Sequence, residues 1–435
     1  MARGLLPALL LLCATSLLHA AGGSPDQVFG RLPFAKWKTE GKQSQIRWTL
    51  FNPEPTLSAH QRLLLRTVVR IDGRELEKRR ADTSFLALIE YRDAAGDVWQ
   101  NHEDIDPSKL ADGIVRQYLD VSFYAFLLPG QYTVSTAICD PETLQHSVSV
   151  RRVRAEPLRS DPLPALWKNM PPVEIIPPVA EPPDVWYLPD MVTRPTLKVA
   201  TSHPVRLHIL LNTTPSQRSS GSLTALRANM SLLIPALKVL SGIEFPNGSI
   251  DAEMLDLTHR KVVFDQKTVH ALTWPAMRKF FVDMRPGVID AATLQGEWKM
   301  RRFFWDEVTR NLGPERDGAT PVVLVLSGPA FLEDQEPAES APVEQGKGRI
   351  FYIRYRAQTL PSRAFRSSPL RDTMVGRSGR GRMMAPPISP DYLPPMPLDD
   401  LERTLQPLNA RLFDAASAQQ FRRVLAAVLE QISRI

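Results

Sequence analysis

Residues 157–195 hold 11 prolines, including the pairs Pro171-Pro172, Pro177-Pro178 and Pro182-Pro183. Each proline removes a backbone donor and fixes φ, so no helix or internal strand is expected to run through the stretch, and extended polyproline geometry is favoured. The chain must therefore build its cores on either side of a connector. Leu166, Trp167, Ile175, Ile176, Trp186, Tyr187 and Leu188 make that connector too apolar to hang free in water. They predict that it lies along one or both flanking domains and fixes their orientation. At 435 residues, 43% hydrophobic and 23% charged, the chain has the length and make-up for more than one soluble core.

Before the connector, residues 27–156 read as a series of short strands rich in β-branched and aromatic residues: Gln45–Leu50, Leu63–Ile71, Phe85–Tyr91, Arg116–Leu127, Gln131–Cys139 and Ser147–Val153. Turn signals separate them at Asp72-Gly73, Ala95-Gly96-Asp97, Pro129-Gly130 and Asp140-Pro141. This spacing predicts an antiparallel β-sandwich of the immunoglobulin or fibronectin type. Within it Tyr132, Val134, Thr136 and Ile138 share one face and Cys139 takes the other. His102, Glu103, Asp104 and Asp106 cluster in what reads as a solvated turn between strands.

Residues 1–23 carry the pattern of a secretory signal: Arg3, an apolar run from Leu5 to Leu18, then Ala20-Ala21-Gly22-Gly23. The run is shorter than the roughly 20 residues a membrane span needs. Leu12 before Cys13 argues against a lipid anchor. The expectation is a secreted or periplasmic protein with no transmembrane segment after cleavage. Cys139 then remains as its single cysteine, so no internal disulfide forms and the cores alone hold the fold.

After the connector the pattern changes to strands alternating with helices over residues 196–435. Val205–Leu211 is an apolar strand, and the polar turn after it offers Asn212, Thr214 and Ser216 at alternate positions. A helix follows with Leu223, Leu226, Met230, Leu233, Ile234, Leu237 and Leu240 at helical spacing, kinked at Pro235 and ended at Gly242. Ile250–Leu257 and Lys261–Phe264 read as a strand pair. Helices are expected after Pro275 and Asp290, the latter with an apolar stripe through Phe304, Trp305 and Val308. Pro321–Ser327 and Ile350–Tyr355 have the continuous apolar character of buried parallel strands, and Ser417 with Gln420 forms a capping box ahead of a last amphipathic helix. This order predicts a doubly wound α/β domain, with ligands taken by loops at the carboxyl ends of its strands.

The Asn212-x-Thr214-x-Ser216 loop resembles the metal loop of the von Willebrand factor type A domain, and the Arg411–Ser417 step into the last helix is also similar to that family. The resemblance is closest to the secreted bacterial, acidobacterial-type version that follows a β-sandwich. It implies a type A-like fold and a divalent cation held by an aspartate and two hydroxyls, with help from neighbouring loops. Asn212 stands where the aspartate would, and Ser327-Gly328-Pro329 where a Thr-Asp-Gly turn is usual. Hard cations depend on carboxylates, so any cation binding is expected to be weak; neither a resident metal nor a cofactor is expected.

The formal charge of +6 is local. Between Pro361 and Met384 lie Arg363, Arg366, Arg371, Arg377, Arg380 and Arg382 against one acid, Asp372, in an irregular glycine- and proline-bearing loop spanning 361–397. Such a loop is either a solvated segment or a site for an anionic partner. Because the excess sits in one loop, nucleic-acid binding is not expected. No H-E-x-x-H, G-x-S-x-G or phosphate-binding glycine loop occurs. The reading is an exported, non-enzymatic binding or adhesion-type protein. It would recognise a protein or anionic envelope component through Asn212, Thr214, Ser216 and the six arginines. An exported hydrolase using His102 and its neighbouring acids is the alternative.

Overall fold

The computed structural model describes residues 25–40, 43–51, 53–78, 84–110, 114–176, 193–214, 223–269, 273, 276–277, 299–313, 318–332, 349–356 and 398–435. Ala276 and Met277 are helical, as expected after Pro275. The expected signal segment, Trp186 to Leu188, the start of the helix expected after Asp290, Ser216 and the whole basic loop lie outside the described residues.

Two short helices, α1 (Pro25–Arg31) and α2 (Phe34–Glu40), precede β1 (Gln43–Ser44), β2 (Trp48–Phe51), β3 (Thr56–Leu57) and β4 (Leu63–Asp72). Beyond α3 (Gly73–Glu77) come β5 (Phe85–Asp93), β6 (Val98–Ile105), β7 (Tyr118–Leu127), β8 (Gly130–Cys139), β9 (His146–Ala155) and β10 (Val173–Ile176). They form two antiparallel sheets, ordered β1-β9-β8-β5-β6 and β10-β7-β4-β2, with β3 beside β4. One core joins the sheets: Phe85, Ala87, Ile89, Tyr91, Tyr132, Val134 and Ile138 from the first meet Leu63, Leu65, Val69, Phe123, Ala125 and Leu127 from the second. The period-2 alternation that sequence offers is the alternation that packs.

On its outer face the first sheet is covered by α1 and α2. Phe29, Leu32, Phe34 and Trp37 pack on Leu86, Leu88, Ala137, Val148 and Cys139. Burial pushes the Cys139 thiol up to about 12, with Asp140 adding to it, so this cysteine is an inert packing residue. His102 requires a correction. It lies in β6, paired opposite Leu88, and not in a solvated turn. The segment Val98–Ile105 lacks alternation because it forms the border of the sheet, where both faces are half-wet.

The second half contains β11 (Leu197–Lys198), β12 (Val205–Asn212), α4 (Leu223–Leu240), β13 (Ile243–Glu244), β14 (Ser249–Asp256), β15 (Lys261–Gln266), α5 (Met300–Asn311), β16 (Thr320–Ser327), β17 (Arg349–Tyr355), α6 (Asp400–Leu405), β18 (Arg411–Ala415) and α7 (Ala418–Ser433). Six of these strands form one sheet, ordered β15-β14-β12-β16-β17-β18, parallel except for β15. The chain is therefore mixed α/β in several sheets. Leu207, Ile209, Leu211, Val322, Leu324, Leu326 and Phe351 face α4 and α7. Leu210, Val323, Val325 and Tyr352 face α5 and α6. Gly242 follows α4 as expected, and a Cβ there would sit 1.9 Å from the Pro195 carbonyl oxygen, so only glycine admits the chain beside it. At α7, Ser417 Oγ accepts from the Gln420 N–H at 3.1 Å, while the Gln420 side chain accepts from Ala416 N–H, one residue earlier than a standard capping box.

The connector is anchored at its described ends. Val173–Ile176 adds to β7 as a border strand, the one place in a sheet that tolerates neighbouring prolines. Asp161 receives a forked pair from Arg422 of α7 at 2.6 and 2.7 Å, and Arg422 also donates to the Leu163 carbonyl at 2.8 Å and lies over the Trp167 ring. Burial pushes the Asp161 carboxyl up, but the Arg422 hydrogen bonds and the Leu163 N–H outweigh it and hold it below the usual carboxylate range. Gln61 closes the contact by donating to the Ala418 carbonyl at 3.0 Å. Among the described residues, no helix is long and apolar enough to cross a membrane.

Candidate functional site

Strand β12 sits inside the six-stranded sheet, with β14 on one side and β16 on the other. The chain moves from β12 to β14 and then returns to the opposite flank, so the β12/β16 boundary is a topological switch point. Loops diverge there at the carboxyl ends and leave a crevice in which open α/β sheets bind ligands. Asn212 and Ser327 end these two strands.

Their side chains meet. Asn212 Nδ2 donates to Ser327 Oγ at 2.9 Å, and Ser327 Oγ donates to the Gly328 carbonyl at 2.6 Å. Asn212 Oδ1 accepts from the Thr214 N–H at 2.9 Å, an Asx turn. Thr214 Oγ1 accepts from the Leu257 N–H at 2.8 Å, and Thr213 Oγ1 donates to the Leu255 carbonyl at 3.0 Å. The structure thus joins Asn212 and Thr214 with Ser327 at one edge, and each oxygen in question already serves loop or strand-end groups. Ser216 and the six arginines fall outside the described residues. Among the described residues, no group of three or more His, Cys, Asp or Glu is placed to hold a metal ion.

Two features of this edge were not anticipated from sequence. Asp256, at the end of β14, holds His259 Nδ1 at 2.7 Å through its Oδ2 and the His259 N–H at 3.1 Å through its Oδ1. The spacing i, i+3 around a turn was the available signal. The other lies at the ends of β17 and β18. Arg354 forks onto Asp414 at 2.7 and 3.0 Å, and its third nitrogen reaches Glu402 at 3.0 Å and Asp399 at 3.4 Å. Tyr352 OH donates to the same Asp399 oxygen at 2.9 Å. Burial pushes the Asp399 carboxyl up, against the Glu402 N–H, Tyr352 and Arg354, which pull it down. Burial works to lower the Arg354 pKa, but Asp414 and Asp399 outweigh it and keep the guanidinium charged.

Other candidate groups lie away from this crevice. His102 Nε2 stands 4.0 Å from Asp104, and its Nδ1 is buried with no hydrogen-bond partner among the described residues. His208, inside β12, faces Asp251 at 3.4 Å. Arg206 and Thr268 N–H hold Asp251, while Lys267, Arg310 and Asn311 hold Glu253 nearby. Burial pushes the His208 imidazole down to about 4, the Asp251 charge opposing. Its folded pKa thus lies below the unfolded value near 6.5, so the unfolded chain binds the extra proton. The resulting stability is complete above about pH 6.5 and is lost as pH falls toward about 4, on the order of 3 kcal/mol. Urea unfolding at neutral and acid pH should show a shallower acid loss for His208→Gln than for the wild type; equal slopes would remove His208 as the cause.

The site is therefore a strand-end crevice whose polar groups are satisfied internally, flanked by an Asp-His pair and a buried Arg-carboxylate cluster. No family model matches the chain, and none of the curated proteins matches it. Among solved structures, a protein described as Northeast Structural Genomics Consortium target SoR45 is similar at 11% identity over 26% of this chain and 89% of that one. Its TM-score of 0.15 carries no argument about this fold.

Proposed function

We propose that this chain is an exported, non-enzymatic binding protein whose α/β half is a von Willebrand type A-like domain with a degenerate metal loop, following an immunoglobulin- or fibronectin-like sandwich. Recognition takes place at the carboxyl-edge loops and needs no cation. One observation carries the reading: at the β12/β16 switch point, the Asn212, Thr214 and Ser327 oxygens that a metal would need are engaged in the loop's own hydrogen bonds. A cation would have to displace those bonds while gaining no carboxylate from these three residues, which is unfavourable for hard ions. Arg356, the last described residue before the basic loop, follows β17, which is parallel to β12 and β16. That order supports placing Arg363, Arg366, Arg371, Arg377, Arg380 and Arg382 at the same edge, where charge would draw an acidic protein or anionic envelope component.

The test is capture from envelope and secreted fractions, with the wild type and a variant lacking residues 361–384 as baits, each in EDTA and in Mg²⁺. One partner held by the wild type in both buffers and lost with the loop is the expected result. Retention in Mg²⁺ alone would restore a metal-dependent site at Asn212. Equal retention by a variant with all six arginines changed to Gln would remove the charge argument.

A further inference from the structure

The border of the first antiparallel sheet at β9 is open over most of its length. Strand β9 pairs with β8 from His146 to Ala155, but on its other side it meets β1 only at Ser147 and Val148. On that second side no described strand lies beside it from Ser149 to Ala155. Alternate residues of such a border turn their N–H and C=O groups outward without a ladder partner. The register with β8 runs without a shift, and no proline or glycine interrupts these seven residues. Val150 is 46% exposed, and Arg151, Arg152 and Arg154 are exposed as well.

Pairing fixes which side chains share the outer face. Arg152 lies opposite Thr133, whose other neighbour is Arg92, and Arg154 lies opposite Gln131. A shallow groove of about 340 Å³ runs over these residues, with Asp93 also lining it. Glu90 is held by Lys38 at 2.6 Å and meets Arg92 at 3.6 Å, and Arg154 meets Glu156 at 2.8 Å, the last an exposed pair of small energetic weight. Neither Arg151 nor Arg152 has an acidic partner among the described residues. Two copies of this border set side by side would bring arginines against arginines, which disfavours self-pairing. An acidic strand would gain from the same charges. A polyanion without a peptide backbone would meet the arginines but leave the ladder unfilled.

We propose that the Ser149–Ala155 border of β9 accepts an extended acidic peptide segment of a partner protein as an added strand. Side chains opposite Val150, Arg152 and Arg154 fall on the outer face two residues apart. An antiparallel segment would therefore read Glu-x-Glu-x-Val, its carboxylates set against Arg154 and Arg152, the latter with Arg92 across the groove.

Fluorescence anisotropy with the full chain and a labelled Thr-Glu-Thr-Glu-Thr-Val-Thr peptide tests this. Saturable binding is expected, weakened by about tenfold or more in an Arg152→Glu/Arg154→Glu variant whose circular dichroism is unchanged. N-methylation of alternate peptide amides should abolish it, because the added strand then loses its ladder donors. Absence of saturable binding overturns the proposal. Binding that survives methylation overturns strand addition in favour of a plain anionic patch, and equal binding to the charge-reversed variant places the peptide elsewhere.

Discussion

Replacing Asp161 with alanine is expected to lower the unfolding free energy by about 3–5 kcal/mol, since it removes one partner of a buried ion pair and leaves the other charge stranded. The stranded group is Arg422, fully buried among Asp161, the Leu163 carbonyl and the Trp167 ring. A guanidinium does not neutralise at accessible pH, so it must either stay unpaired or pull the last helix away from the connector. Arg422→Met should cost less, because Asp161 retains the Leu163 N–H and Trp167 Nε1 as donors and its side chain is 10% exposed. The double variant should recover part of the loss. Urea unfolding of the four proteins gives the coupling directly. A coupling below about 0.5 kcal/mol would mean that the pair is peripheral to stability.

This contact also marks the limit of what the sequence discloses. Arg422 and Asp161 lie 261 positions apart, and nothing local distinguishes either from a solvated charge. The inner parallel strands of the α/β half were legible because burial on both faces leaves an apolar run, as in Pro321–Ser327, whose residues are all buried, whereas Arg411–Ala415, only partly buried at the sheet border, was not. Cys139 fell on the face opposite Tyr132 and Val134, as period 2 requires. Strand β6 was not legible, because Val98 to Ile105 is polar and half-exposed along its length and only its ladder with β5 makes it a strand. The short α1 and α2 were equally hidden, since Phe29, Phe34 and Trp37 become a packed face only once the outer surface of the first sheet exists.

The strand-end site divides the same way. The strand-end position of Asn212 and Thr214 was legible because a polar turn after an apolar strand marks a carboxyl-edge loop in an α/β order. The Arg354 cluster could not, because Asp399 and Asp414 follow 45 and 60 residues later and only the β17–β18 pairing sets Arg354 opposite Asp414. A charge inside Arg349–Tyr355, whose residues after Arg349 are all buried, was the available hint. A buried charge in a strand calls for partners wherever the fold can supply them.

Arg354→Met is expected to destabilise the chain by about 3–5 kcal/mol at neutral pH, and its effect should depend on pH in a defined direction. Asp399, fully buried and capping α6 through the Glu402 N–H, loses its nearest cation, while Tyr352 remains its donor. Burial already raises its folded carboxyl pKa, with Arg354 among the groups opposing that rise. Without Arg354 the folded value climbs further, so the folded variant binds a proton that the unfolded chain does not. Stability of the variant therefore falls as pH rises through that raised pKa and is recovered below the unfolded value. The deficit relative to the wild type should be largest near pH 8 and smaller near pH 5. Arg354→Lys keeps a charge but not the fork onto Asp414, and should lie between the two. Chemical unfolding of the three proteins across this range decides the matter. A deficit independent of pH would show that lost packing of the arginine stem, and not the stranded Asp399 carboxylate, is what the cluster contributes.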